Sequence, residues 1–250
     1  MKGIFPVAAL LVLSGWTLEG ERTRDLHLTQ SWQLSLGADG RVAHLVPIDE
    51  LAPSVREPLE RAIRGWTFEP GRVEGQPAPT ETALTLDVSF VPGQGDDYIV
   101  RIDDARTGGR VIPDSSRKGT PRFPRNALKH GLFAMIVVRA DYDADGRIVV
   151  VEPQPQYAIN SMRSLEKATV AAVKKWTVAP ERVGGKTVAS SLLLPVCYTV
   201  TSGRPPDYEC AFTPQGSAAR IGEGGAFALG SSTQLRSQVI GRALQDGEST

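Results

Sequence analysis

Most catalytic and ligand-holding chemistry needs residues that this chain has in short supply. It contains three histidines, His27, His44 and His130, and no two stand at metal-ligand spacing, so each reads as a surface or strand residue. No Gly-x-Ser-x-Gly elbow is present, and the serines gather in loops and near the C-terminus. Basic and acidic side chains number 28 each, so no charge excess points to a phosphate backbone or an anionic membrane, and nucleic acid is excluded as a partner. The longest apolar run, Ile4 to Trp16, has 13 residues, short of the ~20 that span a bilayer as a helix. No cysteine directly follows that run, so a lipid anchor through one is not expected. The expectation is a non-enzymatic chain without cofactor or metal.

What is present near the start reads as an export signal over residues 1–20, with Lys2 before the apolar run and Val12-Leu13-Ser14 as a cleavage context. The alternative is an uncleaved, abbreviated anchor. Cys197 and Cys210 are the only cysteines, and in an exported chain an isolated pair reads as a disulfide. An apolar fraction of 41% is enough for packed cores.

The strongest positive signal is an internal repeat. Trp66-Thr-Phe-Glu-Pro-Gly-Arg-Val-Glu-Gly-Gln76 recurs 110 positions later as Trp176-Thr-Val-Ala-Pro-Glu-Arg-Val-Gly-Gly-Lys186. The same offset pairs Ser54 with Ser164, Ala62 with Ala172 and Leu84 with Leu194. The turn dipeptides Asp39-Gly40 and Asp145-Gly146 match at an offset of 106, so the second copy carries four extra residues before its helix. Two copies of one unit predict two domains, at 26–103 and 121–212, with a polar linker at 104–120 and a tail at 213–250.

Each copy reads as strand, tight turn, strand, helix, strand, strand. Trp32, Leu34 and Leu36 alternate with polar residues up to Asp39-Gly40, and Val42 to Val46 returns. Ala134 to Val138 and Ile148 to Val151 flank Asp145-Gly146 in the same way. Val55, Leu59 and Ile63 share a helical face, as do Met162, Leu165, Thr169 and Val173. Both helices run out at Trp66 or Trp176, and Pro70 and Pro180 forbid continuation. Those four residues read as structural core anchors, although the tryptophans could instead stack on a ligand.

Strands follow at Leu84–Val91 and Leu192–Thr201, with short returning strands at Tyr98–Ile102 and Tyr208–Phe212. Cys197 and Cys210 then lie on two arms of one hairpin. Residues 213–231 are rich in Gly, Ala and Ser and read as a flexible tail. Thr233 could cap a short helix carrying Leu235, Val239 and Ala243 on one face.

One motif match is misleading. Asp141-x-Asp143-x-Asp145-Gly146-x5-Glu152 fits the calcium-loop pattern, but that loop joins two helices. Here both flanks are strand-like, Met135-Ile-Val-Val and Ile148-Val-Val-Val, so a hairpin turn is the expectation and calcium the alternative. Gly222-Glu-Gly-Gly-Ala-Phe lacks the preceding strand of a phosphate-binding turn.

The second copy resembles the C-terminal domain of TonB, the periplasmic protein that couples inner-membrane energy to outer-membrane transporters. The likeness runs through Pro121-Arg-Phe-Pro124 with Ala127 and Gly131, then Asp143-Ala-Asp-Gly146-Arg-Ile, then Ala172-Val-Lys-Lys-Trp176-Thr-Val-Ala-Pro180 and Gly185. The first copy, about 28–91, is similar but lacks the Pro-Phe-Pro opening. The resemblance implies an α+β fold, two tandem units each with a helix on a small antiparallel sheet. It implies a periplasmic protein with a protein partner, such as an outer-membrane transporter, and an unspecified oligomeric state. In the family the last strand's edge accepts a transporter's TonB box by strand addition. The returning strands are expected to cover that edge here, which favours an interaction module over the alternative, an energy transducer held by its N-terminal segment.

Overall fold

The computed structural model describes residues 26–92, 98–112, 121–128, 133–199, 210–222 and 224–244. The export-signal region, the turns at Gly93 and Gly203, and residues 113–120 lie outside them. In chain order come β1 (Leu26–Leu36), β2 (Val42–Pro47), α1 (Pro53–Arg64), β3 (Phe68–Glu69), β4 (Arg72–Val73), β5 (Gln76–Pro77) and β6 (Thr80–Pro92). Then follow β7 (Tyr98–Gly108), β8 (Arg110–Ile112), α2 (Arg125–Leu128), β9 (Ala134–Tyr142), β10 (Ile148–Pro153) and α3 (Arg163–Val173). The remainder is β11 (Thr177–Ala179), β12 (Arg182–Val183), β13 (Lys186–Thr187) and β14 (Ser190–Tyr198). Five short strands close it: β15 (Ala211–Phe212), β16 (Ile221–Gly222), β17 (Phe227–Ala228), β18 (Gln234–Leu235) and β19 (Ala243–Leu244). The fold is mixed α and β, and strand-rich.

The same local geometry is built twice. β1–β2 and β9–β10 are hairpins whose central strand also pairs with β6 or β14. At each tip a glycine with positive φ, Gly40 at 76° or Gly146 at 78°, brings its carbonyl to the strand after the helix. Phe68 N donates to Gly40 O at 2.9 Å, and Val178 N to Gly146 O at 2.8 Å. Only glycine fits, because a Cβ on either would run into the Phe68 or Val178 carbonyl. Farther on, Ala78 N donates to Gly71 O and Val188 N to Glu181 O, both at 2.9 Å.

The helices bury the faces that their spacing predicts. Leu59 and Ile63 of α1 are fully buried against Trp32, Leu34, Leu84 and Leu86. Leu165, Thr169 and Val173 of α3 are buried, with Ala172, over Ile136, Val138, Leu192 and Leu194. Each such leucine or isoleucine, taken out of water, contributes about 1.5–3 kcal/mol.

The two sheets differ on their second faces. In β1 and β6 that face is polar, carrying Thr29, Ser31, Thr85 and Asp87. In β9 the residues from Ala134 to Val138 are buried without a break. Ile136 and Val138 join the core under α3, while Met135 and Val137 join a second core with Phe133, Leu193, Phe212, Ala219 and Ile221. A sheet covered on both faces needs continuous apolar runs, which is what Ala134–Val138 and Leu192–Leu194 supply.

Three expectations are corrected here. Residues 104–112 are not linker, since β7 runs through Gly108 against β6 and β8 pairs with β11. Their polar sequence suits a ladder whose outer face is held by ion pairs rather than apolar packing. Tyr208–Phe212 does not return along Leu192–Thr201 where it is described, because Ala211–Phe212 pairs with Ile221–Gly222. Nor do the described residues 224–244 form a helix or a loose tail. Gln234–Leu235 pairs with β3, Ala243–Leu244 pairs with β7, and Val239 is 2% exposed in the first core. A helix of so few residues is marginal in isolation, Gly241 sits at a φ of 81°, and waiting strand edges satisfy this backbone better.

Candidate functional site

The site of interest is the outer edge of β14, and its geometry follows from alternation along the strand. Ser191 O accepts from Leu229 N at 2.9 Å, so the backbone groups of Ser191, Leu193, Pro195 and Cys197 face outward while the intervening residues face β9. β17 occupies this edge over two positions, Leu192 opposite Ala228 and Leu193 opposite Phe227. Ser190 Oγ extends the contact by donating to Gly230 O at 2.9 Å. The pairing ends two residues short of Pro195. A proline has no N–H to give, so the ladder on this edge is interrupted there. The matching edge of β6 carries Thr85 at that position and pairs with β7 from Ala83 to Pro92. Its remaining end, Thr80–Glu81, pairs with β12 of the second repeat.

The strand on the β14 edge is held from both sides. Phe227 packs toward Phe133, Met135, Leu193 and Ile221, while Ala226 and Ala228 pack toward the core under α3. On its other side Arg106 Nε donates to Ala226 O at 3.4 Å, and Gly108 leaves room for the Ala228 methyl. Arg106 is itself clamped by Asp87 and, at 2.7 Å, by Asp104. Burial pushes the Asp104 carboxyl up, and the Arg106 guanidinium pulls it the other way. A β-bulge after Asp87 brings Asp104 opposite Asp87, so that all three charges share the polar face. Between this face and residues 224–228 lies an open cleft of about 250 Å³.

Below the strand, Glu181 joins three segments although it is only 1% exposed. Its carboxylate accepts from Thr82 Oγ1 at 2.7 Å, Ser231 Oγ at 3.0 Å and Ser232 N at 2.6 Å. Buried charge is tolerated because each oxygen has a donor.

Cys197 and Cys210 are bonded, with Cα atoms 6.0 Å apart, and the bond ties residues 210–222 over the second face of the sheet. Trp66 is 7% exposed in the first core, and Trp176 is half-buried against the second. Pro70 and Pro180 lie beside the tip glycines, their Cδ atoms 3.5 and 3.4 Å from where a Cβ on Gly40 or Gly146 would stand. The calcium-like stretch is a strand–turn–strand hairpin. Asp143 Oδ1 accepts from Asp145 N at 3.0 Å and Arg147 N at 2.9 Å, and Asp141 pairs with Arg139 at 2.8 Å. The Asp143 carboxyl is held below the usual range, first by the Arg147 backbone N–H and further by its guanidinium. Among the described residues no three His, Cys, Asp or Glu side chains group as a metal cage. His27 lies 3.6 Å from Asp103, His44 is exposed on β2, and His130 is outside the described residues.

Residues 119–200 match the family model described as Gram-negative bacterial TonB protein C-terminal. The matched stretch runs from the Pro-Arg-Phe-Pro opening through β14, so the edge described above belongs to the TonB-like unit. That family is a non-enzymatic protein-interaction domain of the Gram-negative envelope. The match covers one copy of the repeat. Comparison with the curated proteins and with the solved structures yields no match. Among the described residues no helix is long and apolar enough to cross a membrane.

Two features of the edge differ in how far the sequence announces them. Pro195 was readable, since a proline inside an apolar strand signals an edge position. The 226–230 segment carried no such signal, because Ala-Phe-Ala-Leu-Gly amid glycines and serines has the composition of a loop.

Proposed function

We propose that this protein is a periplasmic, non-catalytic interaction module built from two TonB C-terminal-like units, the first degenerate, and that its partner is another envelope protein. The family match at 119–200 supports the class of function. The observation that separates a module from a transducer is the state of the β14 edge. A transducer must offer that edge to a transporter's TonB box, whereas here β17 sits on it and Pro195 interrupts it. The N-terminal 20 residues, read as a cleaved signal, leave the mature chain in the periplasm.

Fluorescence anisotropy with a labelled TonB-box peptide tests this reading on the full-length, oxidised protein. No binding up to high micromolar peptide is expected. Micromolar affinity would make the transducer the better reading. N-terminal sequencing of the periplasmic fraction should place the mature start between residues 15 and 21. Intact Met1 in the membrane fraction would instead support the anchored form.

A further inference from the structure

We infer that residues 226–230 are an internal pseudo-ligand, so that the partner of the β14 edge presents an extended small–aromatic–small segment and binds when this strap is released. The inference rests on the interaction-module reading and names the partner's chemistry.

Three observations carry it. The strap meets the edge as an added strand does, with Leu192 and Leu193 paired to Ala228 and Phe227, and Ser191 O taken by Leu229 N. Its side chains alternate between two environments that select size. The Phe227 ring packs among Phe133, Met135, Leu193 and Ile221, while Ala228 faces Gly108, where a larger side chain would collide with β7. Pro195 sets the length, because a longer guest would find no outward N–H at that position. The acceptor is therefore specific for about four residues, aromatic toward the 210–222 side and small toward β7.

The strap is also the kind of segment that opens locally. It makes a two-residue ladder, is flanked by Gly224-Gly225 and Gly230, and leaves Leu229 47% exposed. Short ladders with exposed bonds unzip well below the global unfolding free energy. While closed, the tethered strap competes at an effective concentration of ~mM, which keeps weak guests off.

The test uses a labelled peptide with the sequence of residues 224–232, and the same peptide with serine for phenylalanine. Each is titrated into the full chain and into a full-chain F227S/A228D variant, whose acceptor residues are untouched. The variant should bind the first peptide at least tenfold more tightly than the unmodified protein does, and the serine peptide at least tenfold more weakly. A folded variant that ignores the strap peptide overturns the inference. If that variant still takes a TonB-box peptide, strand addition at β14 stands and only the pseudo-ligand assignment fails. Amide exchange on the unmodified protein decides the matter even where the variant does not fold. The Leu229 amide should exchange at least a hundredfold faster than those of Val138 and Ala140 in β9, and equal rates would show a strap that opens only on global unfolding.

Discussion

The β6 edge and the β14 edge start from the same hairpin–helix–strand framework and end differently. β6 is sealed along its outer side, by β7 from Ala83 to Pro92 and by β12 at Thr80–Glu81. β14 is touched at two residues by a segment nearly 30 positions further along the chain, and carries Pro195 where β6 has Thr85. A long local hairpin closes the first edge permanently, because its ladder is long and its loop short. The second edge is closed by a short ladder whose stability depends on contacts with both halves. The edge proposed to open lies in the second repeat, within the TonB-like match.

The glycines at the hairpin tips test whether the two frameworks are equivalent. Gly40→Val and Gly146→Val should each destabilise by about 4 kcal/mol, the sum of a left-handed backbone and a clash with the Phe68 or Val178 carbonyl. Urea unfolding measures both. A large loss at one tip and none at the other would break the equivalence.

Removing the staple sharpens the difference. Cys197→Ser with Cys210→Ser should cost about 3 kcal/mol on the chain-entropy model for a separation of 13 residues. Amide exchange should show the gain in mobility confined to 210–222 and the strap. If β1, β2 and β6 loosen equally, the two regions are one cooperative unit.

Glu181 has no counterpart in the first repeat, where Gly71 takes its place and donates its N–H to Thr80 Oγ1 at 2.9 Å. Glu181→Ala should cost about 2 kcal/mol by stranding the Ser232 N–H and leaving Thr82 Oγ1 and Ser231 Oγ to neutral acceptors such as the Gly108 and Thr233 carbonyls. The strap amides should exchange faster in this variant. Unchanged exchange at Leu229 would mean that Glu181 does not hold the strap down.

The smallest effect concerns alkaline pH. Burial pushes Tyr142 up to about 12, against a hydrogen bond with Ser190, and burial also raises Tyr198 despite its bond to Thr169. Both lie in the second core, whereas Tyr98 of the first repeat is 61% exposed. A raised folded-state value stabilises fully below the ordinary tyrosine value and is lost as pH climbs through the folded one. Between pH about 10 and 12 the second unit should therefore lose up to about 1.4 kcal/mol per pH unit for Tyr142. Tyrosine absorbance and the emission of Trp176 should report that loss before Trp32 and Trp66 respond. Simultaneous change at all probes would refute the ordering.

Helix faces were legible from sequence, because Leu59 and Ile63, and Leu165, Thr169 and Val173, obey a period that only a helix satisfies. The hairpin tips were legible for the same local reason, since Asp-Gly specifies a positive φ at the glycine. From sequence β7 stops at Ile102, because Asp103, Asp104 and Arg106 look like linker until the bulge gathers Asp104 and Arg106 with Asp87 into largely buried ion pairs.

By itself the sequence determined what depends on neighbours in the chain: two similar hairpin–helix–strand segments, their buried faces, and the likeness of the second to the TonB C-terminal domain. Tertiary structure alone decided which edge each late segment covers. Strand pairing satisfies backbone N–H and C=O groups that every residue carries, so a short polar or glycine-rich segment pairs wherever an edge is vacant and its side chains fit. Phe227 against the second face and Ala228 against Gly108 are such fits, and no periodicity announces them.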